Sequence, residues 1–358
     1  MNKEEKVKEI LGQLQTKEGP NFEFNEVEIL SEYQRNSGEQ SSITIKILSI
    51  LGGFFATLSF LGFLGITGIY SSDIGLCLFG ISFIVLAIWA NWKYDKLIID
   101  TASITVFVSG FVLLALGLSE WHVNENEICF IIFGIAFSTL FFVQTYILSF
   151  TAVVFMSSTI LFLISSNNLD RIVPIYIIVT ELLLGFFILH EARIISINVK
   201  MNRLYNPVRL ALIISVLMGL IYIGAHGILN ELPSTFWIAS LSSILMVLYL
   251  IALLLDLLQV KDIQNKLLFY AIGLLLMLPS FFSPSISGSL LIILLCFMVN
   301  YITGLTIGII ALIYFVSQYY YDLNFSLLIK SELLFASGFL FLFIYWLAKK
   351  NFNHVEEL

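Results

Sequence analysis

Beyond residue 42 the chain is a succession of long apolar runs separated by short polar breaks. The runs predict helices near 44–69, 73–91, 97–118, 128–144, 146–165, 172–190, 207–229, 236–256, 266–282, 285–300, 302–320 and 326–348. Each is close to the ~20 residues that carry a helix across ~30 Å of hydrocarbon at ~1.5 Å per residue. None alternates with period two, which argues against strands. Ile128–Ile164 and Ser287–Phe315 are each too long for one helix without gross mismatch. They divide best into tight hairpins, at Gln144-Thr145-Tyr146 and near Asn300-Tyr301. The expected fold is all-α: a polytopic transmembrane bundle of about twelve helices over 43–350, ending in a short tail, 351–358.

Residues 1–42 follow a different pattern and are expected to form a short helical segment on the cytoplasmic side. Val7, Ile10, Leu11 and Leu14 fall on one helical face. Gly19-Pro20 ends that helix, and Val27, Leu30 and Tyr33 mark the apolar side of a second one around 25–34. Asn36–Ser42 reads as a linker. Packing against the membrane domain is the simplest role for this hairpin; docking a partner or lying on the membrane surface are the alternatives. The first apolar run begins near Ile43, beyond the reach of a cleavable signal peptide, so it is expected to stay as a start-transfer helix.

Composition and charge sharpen the picture. The 358 residues are 59% hydrophobic and 12% charged, with mean hydropathy +0.95; a soluble domain carries roughly 25% charge. The net charge of −7 comes with no basic patch for nucleic acid. Under the positive-inside rule the basic residues order the loops. With the N-terminus in the cytoplasm, Lys93, Lys96, Arg193, Lys200, Arg203, Lys261, Lys266, Lys349 and Lys350 all fall inside. The expected outer loops carry only Arg171 beside the acidic 120–127 stretch. Twelve helices with both ends inside fit this alternation, eleven would invert it, and ten would fit only if neither hairpin division held. Trp89, Trp92, Trp121, Trp237 and Trp346 all sit at expected boundaries, where indole rings prefer the headgroup level.

An ionisable group at membrane depth is costly and therefore a functional candidate. Glu181 stands in the middle of 173–189, too short a side chain to snorkel out. It is either a proton- or cation-linked carboxylate facing a cavity or a carboxyl that joins helices by hydrogen bonds. His226, near the outer end of its helix, fits an interhelical hydrogen bond or a proton relay. Lys330 snorkels or meets Asp322 or Glu181. Tyr319-Tyr320-Tyr321 reads as an interfacial belt or as a platform for a glycan or headgroup. Lys96 and Asp100 form a surface pair at i, i+4. Cys77, Cys129 and Cys296 lie in apolar runs without a CxxC or Cys/His cluster. Gly52-Gly53, Gly62, Gly65, Gly68, Gly304 and Gly308 are packing positions, and Pro279 is a candidate kink. No phosphate loop, HExxH, GxSxG or dinucleotide fingerprint occurs. The expectation is a chain with no catalytic residues, no cofactor and no metal.

Ser317–Leu342, with Tyr320, Tyr321, Asp322, Leu323, Leu327, Leu328, Lys330, Ser331 and Gly338, resembles the end of an uncharacterised family of multi-pass bacterial inner-membrane proteins. The start, Gly52-Gly53 followed by Leu61–Gly65, is similar to that family's first helix, although Phe54 stands where a tryptophan is expected. The resemblance implies a protein of unknown function in the bacterial cytoplasmic membrane. The family is similar in setting to other uncharacterised membrane proteins, including ones named for a GDYxxLxY motif, which implies a multi-protein assembly. It also places weight on Asp322 and Lys330. Two functional readings follow. One is a non-catalytic component of a cell-envelope assembly, in contact with lipid and other membrane proteins. The alternative is a transporter or permease with Glu181 in a polar intramembrane path.

Overall fold

The computed structural model describes residues 43–68, 72–93, 97–143, 145–229, 235–259, 263–277, 280–281 and 283–322. Beyond these it describes Leu328, Ser331, Glu332, Phe335, Gly338, Phe339 and Leu342, all helical. The described structure is entirely helical, with no strand among the described residues. The expected segment 1–42, the surface pair Lys96–Asp100, Pro279 and most of the expected last helix, 326–348, lie outside the described residues or side chains. The chain divides at Ile69/Tyr70 into two compact units.

The first unit contributes helix α1 (Ile43–Ile66). Thr67 Oγ1 donates to Leu64 O at 2.7 Å just past its end. Gly68 follows at φ 78°, a left-handed conformation that closes a helix without the Cβ clash other residues would meet.

The second unit opens with α2 (Asp73–Lys93) and α3 (Leu97–Glu120). Gly80, Gly110 and Gly117 let these two helices touch: a Cβ at Gly80 would lie 2.7 Å from Leu114 N. Next come α4 (Glu125–Phe142) and α5 (Tyr146–Ser166). The break at 143–145 is the first expected hairpin. Helix α4 starts at Glu125 rather than Ile128 because Asn124 caps it, accepting from Asn126 N at 3.1 Å. Glu125 and Glu127 then sit in the first turn, where negative charge is favoured. A 3₁₀ turn (Asp170–Ile172) leads into α6 (Val173–Leu189).

Here the structure departs from the expected order. A short helix α7 (Glu191–Ile197) precedes α8, which runs Val199–Leu229 and begins well before the expected residue 207. Pro207 lies inside α8 and not at its start. At 31 residues α8 exceeds the ~20 needed to cross a bilayer. Then follow α9 (Phe236–Leu257), α10 (Ile263–Met277), α11 (Pro284–Met298) and α12 (Ile302–Asp322). The second expected hairpin is present between α11 and α12, where Asn300 takes φ 54°.

Eight of these helices are long and apolar enough to cross a membrane. Their outward faces carry Phe130, Phe137, Phe141, Phe162 and Phe186, all exposed. A soluble surface rarely shows so large an apolar area, whereas lipid tails accept it. Trp89, Trp92, Trp121 and Trp237 all lie exposed at or near helix ends.

Side-chain contacts fix which helix ends lie together. Asn126 and Asn167 exchange amide hydrogen bonds at 2.6 and 3.2 Å, which joins the start of α4 to the end of α5. Tyr222 donates to Asp170 at 2.7 Å and Thr235 to Arg171 O at 3.2 Å, which adds α8, α9 and the 3₁₀ turn to that end. At the opposite end Lys200 donates to Phe141 O at 2.6 Å, completing the final turn of α4 with a cation where a helix favours one. One apolar cluster lies among α2–α5, around Phe107, Phe111 and Leu148. A larger one fills the space among α5, α6, α8, α9, α11 and α12.

Candidate functional site

The polar side chains buried in the larger cluster are its chemistry. Glu181 is the ninth of seventeen residues in α6 and is 0% exposed. It is held there because α6 is apolar on either side, so the helix cannot shift to release it. Ser243, on α9, places its hydroxyl 2.7 Å from Glu181 Oε1 and 3.0 Å from Ala239 O. From α11, Gly288 leaves space for the carboxylate: a Cβ there would lie 3.1 Å from Oε1. Glu181 Oε2 has no hydrogen-bond partner among the described residues, and neither does the buried hydroxyl of Ser240, one turn before Ser243.

Other buried polar groups tie the same helices together. Tyr176 OH bonds Ser157 on α5 and donates to Ser215 O on α8 at 3.1 Å. Ser285, in the first turn of α11, donates to Leu220 O on α8 at 3.0 Å. Each bond spans two helices, which is how polar side chains act as glue where the surroundings are apolar.

Arg209 is the other buried acidic or basic side chain among the described residues, at 7% exposure in α8. Its guanidinium carbon lies 3.7 Å from the centre of the Tyr301 ring and 4.9 Å from that of Tyr205. A planar cation stacks on such faces through the ring quadrupole. Nη2 donates to Asn206 Oδ1 at 2.8 Å, and Nη1 lies 3.5 Å from Glu191 Oε2 at the start of α7. Tyr205 OH donates to Phe187 O at 3.2 Å near the end of α6. Cys296 is buried close by: a Cβ at Gly304 would meet both its sulfur and the Tyr301 ring. Arg209 thus sits where α6, α7, α8 and the α11–α12 turn converge.

Arg209 is absent from the sequence-based candidates. Starting α8 at 207 places it at the mouth of a helix, beside Arg203 and Lys200, as one more loop cation. Of Glu181, His226, Asp322 and Lys330, only Glu181 has a described side chain. The backbone of His226 lies in the last turns of α8 and that of Asp322 ends α12; their side chains, and all of Lys330, lie outside the described residues. The positions of Glu181 and His226 along their helices still follow from packing. Helices α6 and α8 are antiparallel, because Gly219 packs on Tyr176 and Ile177 while Tyr205 reaches Phe187. Glu181 and His226 lie on opposite sides of the Gly219 level, separated along the axis by roughly 17 Å at ~1.5 Å per residue. Their backbones are not at one depth.

No curated protein matches the chain, and no solved structure does. One family model matches it over residues 43–351, and by that match the chain belongs to a domain-of-unknown-function family, DUF4401.

Proposed function

We propose that this chain is a non-catalytic, multi-pass component of a cell-envelope assembly in the bacterial cytoplasmic membrane, with both termini on the cytoplasmic side. The observation that carries this reading is how the buried polar groups are used. Glu181, Tyr176, Ser285 and Arg209 each bond across helices. They lock α5, α6, α8, α9 and α11 into a body suited to presenting surfaces, and Glu181 and His226 do not share a depth. The orientation draws on charge: Lys200, Arg203 and Arg209 gather at the end of the unit opposite Glu125, Glu127 and Asp170, and positive charge favours the cytoplasm.

A transporter reading retains one favourable observation, a carboxyl at mid-helix with one oxygen unpartnered. Cross-linking and mass spectrometry in native membranes separates the two. The assembly reading expects the same envelope proteins cross-linked to this chain in repeated preparations. Recovery of the chain without recurrent partners, together with Glu181-dependent solute flux in vesicles holding only this protein, overturns it.

A further inference from the structure

We propose that Glu181 is a carboxylic acid that donates its own proton to Ser243, making the centre of α6 a proton-binding site. Ser243 Oγ lies within hydrogen-bond distance of two acceptors, Ala239 O at 3.0 Å and Glu181 Oε1 at 2.7 Å. A serine hydroxyl has one proton to give and two lone pairs with which to accept. Ala239 O is a backbone carbonyl and can only accept.

Three other buried hydroxyls of the bundle spend their proton on a carbonyl of the preceding turn. Thr139 donates to Ile135 O at 2.8 Å, Ser215 to Ala211 O at 2.8 Å and Thr180 to Tyr176 O at 3.0 Å. If Ser243 does the same, the 2.7 Å contact is closed by a proton on Glu181. The result is a chain, carboxyl O–H to serine O–H to carbonyl, in which each bond polarises the next. Only Oε2 is left unpaired, and an under-satisfied carbonyl-type oxygen is the cheapest buried polar group to leave so.

The ionised form fares worse on the same geometry. It would hold a full charge, wholly buried, on a single neutral donor, at a cost of several kcal/mol. Arg209–Glu191 and Lys266–Asp256 are ion pairs among the described residues, and neither includes Glu181. Among the described side chains, the titratable groups on the helices packed against it bond elsewhere or, like Tyr249 and Arg203, lie exposed. On α8 Tyr205 reaches Phe187 O, Arg209 reaches Asn206 and Glu191, and Tyr222 reaches Asp170. Asp256 on α9 pairs with Lys266, and Cys296 on α11 lies against Gly304 and Tyr301. Tyr146 on α5 and Arg193 on α7 belong to the far end of α6.

Infrared difference spectroscopy of the full-length protein in lipid at neutral pH tests this. Wild type minus Glu181→Gln is expected to show the C=O stretch of one protonated carboxyl, a band that ionised carboxylates lack. Ser243→Ala removes the acceptor and is expected to move that band to higher frequency. Loss of carboxylate bands in Glu181→Gln, with protonated-carboxyl intensity unchanged, overturns the proposal. Should Glu181→Gln fail to fold, Ser243→Ala decides alone, and a spectrum without the shift overturns it. The readout needs no partner protein, so it stands or falls separately from the assembly reading.

Discussion

The α2–α3 hairpin and the α6–α8–α9–α11 core solve one problem in two ways. Between α2 and α3 the contact is backbone on backbone. A Cβ at Gly80, Gly110 or Gly117 would lie under 3.0 Å from atoms of the opposite helix, and the neighbouring core is apolar, built on Phe107 and Phe111. In the second region glycines face the side chains of Leu220, Met246 and Glu181, and the joints are hydrogen bonds at Ser243, Tyr176 and Ser285. In lipid there is no hydrophobic drive between helices, so close packing and interhelical hydrogen bonds are what remain. Close packing is unspecific along a run of small residues. A hydrogen bond between fixed atoms holds one rotation and one depth, and Glu181 and Arg209 lie only where that precision exists.

The largest effect is expected from filling the α2–α3 hairpin. Gly80→Leu drives a side chain into backbone that cannot rotate away, and a loss of about 3 kcal/mol is expected from overpacking of that kind. Gly134→Leu on α4, where nothing lies within 4 Å, is expected to stay within about 0.5 kcal/mol of wild type. Thermal unfolding of the detergent-solubilised full-length protein measures both. Equal losses would mean that backbone approach is not what holds α2 to α3.

Second in size is Arg209. Replacement by Met keeps an unbranched apolar stem but removes the cation from between Tyr205 and Tyr301 and the bond to Asn206. A loss of roughly 2 kcal/mol is expected from a desolvated cation–π contact and a charge-assisted bond. Glu191 adds little to this, because its side chain is 34% exposed and water screens the pair. Arg209→Lys is expected to recover less than half, since an ammonium cannot lie flat on a ring while also reaching Asn206. Full recovery by Lys in the same unfolding measurement would reduce the site to a simple point charge.

The legibility of these two regions in the sequence differs for physical reasons. Apolar run length reports hydrocarbon thickness, so the positions of α2 to α6, α9, α11 and α12 follow from it closely. The two hairpin breaks follow because a polar pair interrupts a run too long to be one helix. Residues 191–206 mix charge with Ile194, Ile197 and Val199, a pattern that reads as a loop; α7 and the first turns of α8 form there all the same, and Pro207 is accommodated inside the helix. That misplaced boundary is what hides Arg209. Glu181 is visible as a carboxyl at mid-run, but its partner is not. Ser243 is 62 residues away on α9, a helix apolar nearly all round, and no periodicity marks which of its serines faces inward. Depth can be read from one helix, whereas partnership needs two.

The smallest effect separates serine as glue from serine as filler. Ser285 and Ser289 lie one turn apart on α11, both buried. Ser285 donates across to Leu220 O at 3.0 Å, while Ser289 donates to Ile286 O at 2.8 Å within its own helix. Ser285→Ala removes a bond between helices, and about 0.6 kcal/mol is expected, the average measured worth of such bonds in a bilayer. Ser289→Ala removes a bond to a carbonyl that its own helix already satisfies, while the volume barely changes, so no measurable loss is expected. The double variant should then lose no more than Ser285→Ala alone. If the two single variants cost the same, the serines of α11 act through their small size, and the core would be held as the α2–α3 hairpin is. A difference confined to Ser285 means that α8 and α11 are joined at one defined depth, a few residues from the level at which Gly288 meets Glu181.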